Sequence, residues 1–167
     1  MNKSCSLLTG ITFALAIATT AAAYDNLTPQ EAYDAVVEEG AYILDVRTEA
    51  EYDWVGHPFI LNEDDVEIER IINIPYKLQN GVTMILNPTF LSNINVIFGS
   101  SQDVHIITMC RSGGRSKAAA TALENAGYTN VSNMVEGFEG DNKDKYGYRN
   151  DTMKGWKNSH LPGHTTI

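Results

Sequence analysis

The feature that most constrains the fold is a short apolar run that leads through a glycine-rich turn into an alanine-rich segment. The run, residues 104–109, contains no Asp, Glu, Lys or Arg and is rich in β-branched residues, so it predicts a strand at the centre of a sheet. Residues 114–126 are typical of a helix, and Gly127 supplies its end. A buried strand followed at once by a helix is the building unit of an α/β fold.

The rest of the chain repeats this alternation of short apolar runs and helical segments. Further strands are predicted at residues 41–46, 71–74 and 131–135. Helices are predicted from Thr28, from Thr48 and from Asn87-Pro88, the first two because a Glu three residues later completes a capping box. We therefore expect an α/β fold with a doubly wound, mainly parallel sheet flanked by helices.

The first 23 residues have the layout of a secretory signal peptide. Lys3 precedes an apolar run over residues 7–18, and Ala21-Ala22-Ala23 forms a small-residue cleavage site. The run is shorter than the roughly 20 residues that a membrane span needs, although an uncleaved anchor is the alternative. We expect residues 1–23 to be removed and residues 24–167 to form one domain in the periplasm or outside the cell, without stable membrane insertion.

The cysteine content and the net charge exclude some of the functions and partners that this chain could have. The chain has two cysteines, Cys5 and Cys110, and cleavage would remove the first, so the mature protein could form no internal disulfide. A single cysteine in an exported protein indicates an intermolecular link or a reactive thiol, with a small buried side chain as the alternative. The formal net charge of -9 argues against nucleic acid and anionic membranes as partners.

The residues around Cys110 favour a reactive thiol. Cys110 follows the predicted central strand, and the carboxyl edge of an open α/β sheet is where ligands bind. Adjacent glycines allow backbone N–H groups to turn towards one point, and the start of the next helix adds positive potential. These features, with the two arginines, would stabilise a thiolate, an anionic substrate or a persulfide. The candidate binding residues are Arg111, Ser112, Gly113, Gly114, Arg115 and Ser116.

The spacing of the second arginine discriminates between two chemistries. A cysteine phosphatase surrounds phosphate with a loop in which five residues separate cysteine from arginine. Here Arg115 is the fifth residue after Cys110 and Ser116 is the sixth, so the arginine comes one residue too early. The shorter loop suits a single sulfur atom on Cys110 better than a whole phosphate.

A set of motifs in a fixed order resembles the single-domain rhodaneses, which are thiosulfate or polysulfide sulfurtransferases. The matching segments are Leu44-Asp45-Val46-Arg47 followed by Glu51-Tyr52, Gly56-His57, Ile72-Asn73-Ile74-Pro75, the loop from Cys110 to Ser116, Glu136-Gly137-Phe138, and Gly155-Trp156 with Leu161-Pro162. The resemblance implies a rhodanese-like sheet of five strands. Acidic or polar insertions between His57 and Asn73 and between Glu139 and Lys154 depart from the family pattern and leave substrate preference open.

The resemblance also implies roles for individual residues. Cys110 would take sulfur from an anionic donor such as thiosulfate or polysulfide and pass it to cyanide, sulfite or a thiol, with no metal or organic cofactor. Asp45 and Arg47 would support the site without contacting substrate. Trp54 and Trp156 are expected to pack inside the domain.

Other functions remain open from the sequence. A non-enzymatic carrier could accept sulfur on Cys110 and deliver it slowly to a partner protein. A phosphatase or arsenate reductase on the same fold would require the longer loop. A disulfide redox role would require a second cysteine in the mature chain.

Overall fold

The computed structural model describes residues 24–62, 64–140 and 154–164. The strands are β1 (Asp25–Leu27), β2 (Tyr42–Asp45), β3 (His57–Pro58), β4 (Ile71–Asn73), β5 (Lys77–Asn80), β6 (Thr83–Leu86), β7 (Ile106–Met109), β8 (Val131–Met134) and β9 (Gly163–His164). The helices are α1 (Pro29–Glu39), α2 (Glu49–Val55), α3 (Phe90–Phe98) and α4 (Gly114–Asn125), followed by a 3-10 turn, Trp156–Asn158. The predicted signal peptide lies outside the described residues, as does most of the segment between Glu139 and Lys154.

The main sheet has five parallel strands in the order β1-β8-β7-β2-β4. This arrangement confirms the predicted doubly wound, five-stranded α/β fold. The uncharged run is the central strand β7, as expected, with β8 on one side and β2 on the other. Asp45 pairs in register with Met109, so the end of β2 lies beside the residue that precedes Cys110.

Two hydrophobic layers cover the two faces of the sheet because successive side chains of a strand point in opposite directions. Ile106 packs in the layer formed with α3 and α4, which also contains Cys110. Its neighbour Ile107 packs in the opposite layer with α1 and the buried Trp156. The full burial of Trp156 confirms its predicted packing role, whereas Trp54 on α2 is 80% exposed, so the same prediction for Trp54 was wrong.

Local sequence signals set the helix starts. Thr28 and Thr48 both form the predicted capping boxes, in which the threonine side chain accepts from the Glu backbone and the Glu side chain accepts from the threonine backbone. Helix α3 begins later than predicted, at Phe90, because the side chain of Asn87 accepts from the backbone and hydroxyl of Thr89 in a turn before the helix.

Several short elements did not follow from the sequence pattern. β1 is a three-residue edge strand, too short for a periodic signal. The segment after α2, for which no strand was predicted, contributes β3, which pairs antiparallel with β9. β5 and β6 form an antiparallel hairpin apart from the main sheet. In the described part of the chain, no helix is long and apolar enough to cross a membrane.

Candidate active site

Cys110 lies at the carboxyl end of the central strand, in the first position of the loop that leads to α4. Its side chain is only 1% exposed. The backbone N–H of Gly113 donates a hydrogen bond to Cys110 Sγ across 3.2 Å. A backbone donor directed at sulfur favours negative charge on that atom, because the N–H dipole presents its positive end.

The conformation of the loop is fixed by a glycine in the left-handed region and by hydrogen bonds from buried hydroxyl groups. Gly113 has φ 91°, in the left-handed region that glycine adopts without strain, and a Cβ at this position would overlap the carbonyl oxygen of Val135. Ser116 Oγ donates to Gly113 O at 3.1 Å, and Thr108 Oγ1 donates to Ser116 O at 3.1 Å. The Gly113 N–H therefore has a fixed direction.

The turn after β8 holds the loop from the outside. The backbone N–H of Phe138 donates to Cys110 O at 2.8 Å, and that of Glu139 donates to Arg111 O at 2.9 Å. Gly137 makes this approach possible, since a Cβ on it would overlap the same Cys110 carbonyl oxygen. The Glu136-Gly137-Phe138 motif is thus part of the wall around the cysteine.

The second arginine of the loop is fixed by an acidic partner on α2. Arg115 donates from Nη1 and Nη2 to the two carboxylate oxygens of Glu51, each at 2.6 Å, which is the bidentate geometry that guanidinium groups favour. Partial burial alone would raise the pKa of Glu51, but hydrogen bonds from Arg115 and from the Thr48 backbone, together with the charge of Arg115, outweigh burial and lower it to about 2. The pair also raises the pKa of Arg115.

The first arginine of the loop has a looser position. Arg111 Nε lies 3.0 Å from Glu139 Oε1, and the arginine side chain is 46% exposed. This contact is an ion pair without hydrogen-bond geometry, because Glu139 Oε1 has no hydrogen-bond partner within the described residues. Arg111 is therefore able to turn towards an anion near Cys110.

Two adjoining cavities open at the site. The smaller, about 400 Å³, reaches Cys110 and is also lined by Ser112, Gly114 and Ala118. The larger, about 620 Å³, extends over α2 and the hairpin. Lys77, Arg111 and Arg115 line both, so three cations lie where the two cavities meet, and Lys77 has no ion-pair partner in the part of the chain that the structure describes.

Comparison with known proteins agrees with this geometry. The family model for the rhodanese-like domain matches residues 28–144. The chain belongs to the rhodanese-like family. An uncharacterized protein of Rickettsia prowazekii is 33% identical over 138 residues, which is 82% of this chain and 94% of that protein. The chloroplastic thiosulfate sulfurtransferase 16 of Arabidopsis thaliana is 37% identical over 107 residues, which is 64% of this chain and 78% of that protein.

A solved structure is similar as well. The crystal structure of a protein from M. tuberculosis has a TM-score of 0.65 and 28% sequence identity, and the match covers 85% of this chain and 98% of that chain. The single-domain form of the rhodanese-like fold therefore fits this protein.

The rhodanese-like domain places the predicted supporting pair beneath the site. Asp45 and Arg47 are both fully buried, and Arg47 donates from Nε and Nη2 to the carboxylate of Asp45, the shortest contact being 2.6 Å. Arg47 Nη2 also donates to Gly56 O at 2.9 Å, and its guanidinium lies 4.4 Å from the centre of the Phe138 ring. The pair thus joins β2, the end of α2 and the turn that holds Cys110.

The structure brings most of the predicted binding residues together. Cys110, Arg111, Ser112, Gly114 and Arg115 line one cavity, and Gly113 supplies the N–H on sulfur. Ser116 is fully buried with its hydroxyl turned to Gly113 O, so its contribution is to the shape of the loop. Within the described residues, no group of His, Cys, Asp or Glu side chains could hold a metal ion.

Sequence analysis did not identify two residues that lie at the site. Glu51 was recognised as a helix cap and as part of a family motif, but not as the partner of Arg115, although its carboxylate serves both Thr48 and Arg115. Lys77 was missed because its strand was missed. The available signal was Gly81 followed by Val82 just before the β-prone run Thr83–Leu86, since glycine at the first position of a two-residue hairpin loop is typical of a type II′ turn.

Proposed function

We propose that this protein is a sulfurtransferase that carries sulfane sulfur on Cys110 as a persulfide. The Cys110 thiolate attacks the outer sulfur of thiosulfate or of a polysulfide. A new S–S bond forms on Cys110, the donor S–S bond breaks, and sulfite or a shortened chain leaves with the bonding electron pair. Cyanide, sulfite or a thiolate then attacks the terminal sulfur and regenerates the Cys110 thiolate.

The observation that carries this proposal is the Gly113 N–H directed at Cys110 Sγ across 3.2 Å inside a short, closed loop. A backbone donor in this position stabilises the thiolate before attack and when it leaves again, without any movement of the protein. The cations at the cavity mouth attract an anionic donor. Membership of the rhodanese-like family supports the same chemistry at a general level.

The decisive experiment is intact-mass measurement of the purified protein after exposure to thiosulfate or polysulfide. We expect a gain of one sulfur atom on Cys110 that dithiothreitol reverses, and thiocyanate formation when cyanide is added. Cys110→Ser should gain no sulfur and lose on the order of a thousandfold or more in turnover. No mass gain with either donor would overturn the proposal.

The same measurement separates an enzyme from a sulfur carrier. An enzyme releases many equivalents of thiocyanate or of an organic persulfide per protein molecule. Stoichiometric loading of Cys110 without repeated turnover would instead indicate a carrier that delivers sulfur to a partner protein. Hydrolysis of an aryl phosphate is the corresponding check for phosphatase chemistry, and we expect none because Arg115 comes one residue too early for a phosphate loop.

The proposal includes export to the periplasm or beyond. It is supported by the charge, apolar run and small-residue site of residues 1–23. The expected result is a mature protein that begins at Tyr24 when the full chain is expressed in a bacterial host and recovered from outside the cytoplasm. Recovery of the intact N-terminus from the cytoplasmic fraction would contradict export.

A further inference from the structure

The larger cavity beside Cys110 has an apolar wall that the transfer of sulfur from thiosulfate does not need. Trp54 and Val55 on α2 and Met84 on the hairpin line this wall. Thiosulfate is a small, fully polar anion that the smaller cavity of about 400 Å³ accommodates. A volume of about 620 Å³ lies in the range of cavities that bind organic molecules.

The apolar wall and the three cations at the shared boundary favour a ligand that has an apolar part and a negatively charged part. Lys77, Arg111 and Arg115 lie at the boundary that the two cavities share, so a negative group fits there while an apolar group extends over Met84 and Trp54. Trp54 is 80% exposed and Met84 is 37% exposed. Covering such side chains with an apolar group releases ordered water and adds binding free energy.

The attacking thiol of the second half-reaction takes the place beyond the transferred sulfur. That sulfur lies one S–S bond of about 2 Å from Cys110 Sγ, and the acceptor approaches it in line with this bond, from the side that the donor's leaving group has vacated. Sulfite, the leaving group of thiosulfate, has no apolar part. An organic acceptor is therefore the reactant whose body can extend past the cations and over the apolar wall.

We propose that the acceptor is a small thiol that carries both an acidic group and an apolar body, and that Met84 and Trp54 form its subsite. The inference rests on the proposed sulfurtransferase function. In the step, the acceptor thiolate attacks the terminal sulfur of the Cys110 persulfide and forms its own S–S bond. The bond to Sγ breaks, Cys110 leaves as the thiolate, and the product is an organic persulfide.

A matched pair of acceptors tests this subsite. Mercaptopropanoate and its α-benzyl derivative carry the same carboxylate and the same primary thiol, and they differ only in the apolar group. With thiosulfate as donor, turnover is followed by sulfite release. We expect kcat/KM for the benzyl thiol to be on the order of tenfold higher, since a well-placed apolar group gives 10- to 200-fold discrimination. Equal kcat/KM values would overturn the proposal.

A pair of neighbouring variants locates the effect on the hairpin. Met84 and Ile85 are adjacent on β6 and point to opposite faces, and only Met84 lines the cavity. Met84→Ala should lower kcat/KM for the benzyl thiol several-fold more than for mercaptopropanoate, whereas Ile85→Ala should keep the wild-type ratio. If both variants change the ratio equally, the subsite is not at Met84 and the proposal fails.

Binding to Cys110→Ser separates failure of the subsite from failure of the chemistry. Calorimetry with this variant measures the affinity for the two thiols without any sulfur transfer. Tighter binding of the benzyl thiol supports the subsite even if no persulfide forms on the wild-type protein. Equal binding of both thiols, with normal persulfide loading by thiosulfate, overturns the subsite and leaves the sulfurtransferase function in place.

Discussion

The loop at residues 110–116 and the hairpin of β5 and β6 line the same active-site opening but are built in opposite ways. The loop buries Cys110, Gly113 and Ser116, and it is fixed by backbone donors to Cys110 Sγ, Cys110 O and Arg111 O. The hairpin has its own antiparallel pairing, lies outside the main sheet and exposes most of its side chains. The loop is thus suited to hold the reacting sulfur in one place, and the hairpin is suited to vary what approaches it.

The cations of the two regions differ in the same way. Arg115 in the loop is held by both carboxylate oxygens of Glu51. Lys77 on the hairpin has no ion-pair partner within the described residues. A fixed cation gives a constant field at the sulfur, whereas a cation without a partner is available to bind an anion directly. The predictions below test this division, from the largest expected effect to the smallest.

Replacing one glycine in each region should give the largest difference in stability and in persulfide loading between the loop and the hairpin. Gly113→Ala puts a Cβ at φ 91° and against the Val135 carbonyl oxygen, so we expect a loss of about 3 kcal/mol in the free energy of unfolding. Persulfide loading should also fall sharply because the N–H on Cys110 Sγ would be displaced. Urea unfolding and intact-mass measurement after thiosulfate exposure check both effects.

Gly81→Ala on the hairpin is the matched control. Gly81 also has a positive φ, 59°, but nothing lies within 4 Å of a Cβ built on it. Only the backbone strain remains, about 1 kcal/mol, and loading of Cys110 should be unchanged. Equal losses of stability in the two variants would show that the loop is no more tightly constrained than the hairpin.

The sequence predicted the features that depend on local patterns, but not the contacts between residues that are distant in sequence. Four strands of the main sheet, the α-helices and the position of Cys110 followed from local patterns, such as the uncharged run before the cysteine. Glu51 and Arg115 are 64 residues apart, and no local pattern contains that contact. Lys77 reaches the site because the hairpin and α2 line the same cavity, and its strand has just four residues, too few for a reliable period.

Trp54 shows a second limit of sequence reasoning. An aromatic side chain in a helix is usually buried, and Trp156 follows that expectation with no exposed surface. Helix α2 has no fully buried residue. Its Val55 packs against one hydrophobic layer, whereas Trp54 lines the larger cavity. Composition cannot distinguish an apolar side chain that packs in the core from one that lines an open cavity.

Glu51→Gln should remove the pH-dependent stability that the ion pair between Glu51 and Arg115 contributes. The pKa of Glu51 in the folded state is lowered from its ordinary value of 4.5 to about 2, so the carboxylate contributes stability above about pH 4.5 that is lost as pH falls towards 2. Since the pair is only partly buried, we expect roughly 1 kcal/mol after allowance for solvent screening. Urea unfolding of wild type and variant at pH 6 and pH 3 measures the difference.

Glu49→Gln is the control for this ion pair. Glu49 lies in the same first turn of α2 but is exposed, so its replacement should alter the pH dependence little. The interpretation would be contradicted if Glu51→Gln and wild type lost stability equally between pH 6 and pH 3. Such a result would mean that solvent, and not Arg115, determines the energy of the Glu51 carboxylate.

Lys77→Gln should test whether the hairpin cation binds the donor. Removing one positive charge from the shared boundary of the cavities should raise KM for thiosulfate about fivefold, with a smaller change in kcat, because the lysine attracts the anion and does not touch the reacting thiolate. Lys117→Gln on α4 is the matched control, since Lys117 lines neither of the two cavities. Equal KM values for the two variants would exclude a specific role for Lys77.

The smallest effect is expected at the tip of the hairpin. Val82 is 100% exposed and lies in the two-residue loop between β5 and β6. Val82→Thr keeps the side-chain shape and changes no contact, so the free energy of unfolding should change by less than about 0.5 kcal/mol. With thiosulfate as donor, turnover with mercaptopropanoate and with the benzyl thiol as acceptors should stay at the wild-type rate. A several-fold loss with the benzyl thiol alone would mean that the apolar subsite extends from Met84 to the hairpin tip, and a loss with both acceptors would mean that the whole hairpin moves during turnover.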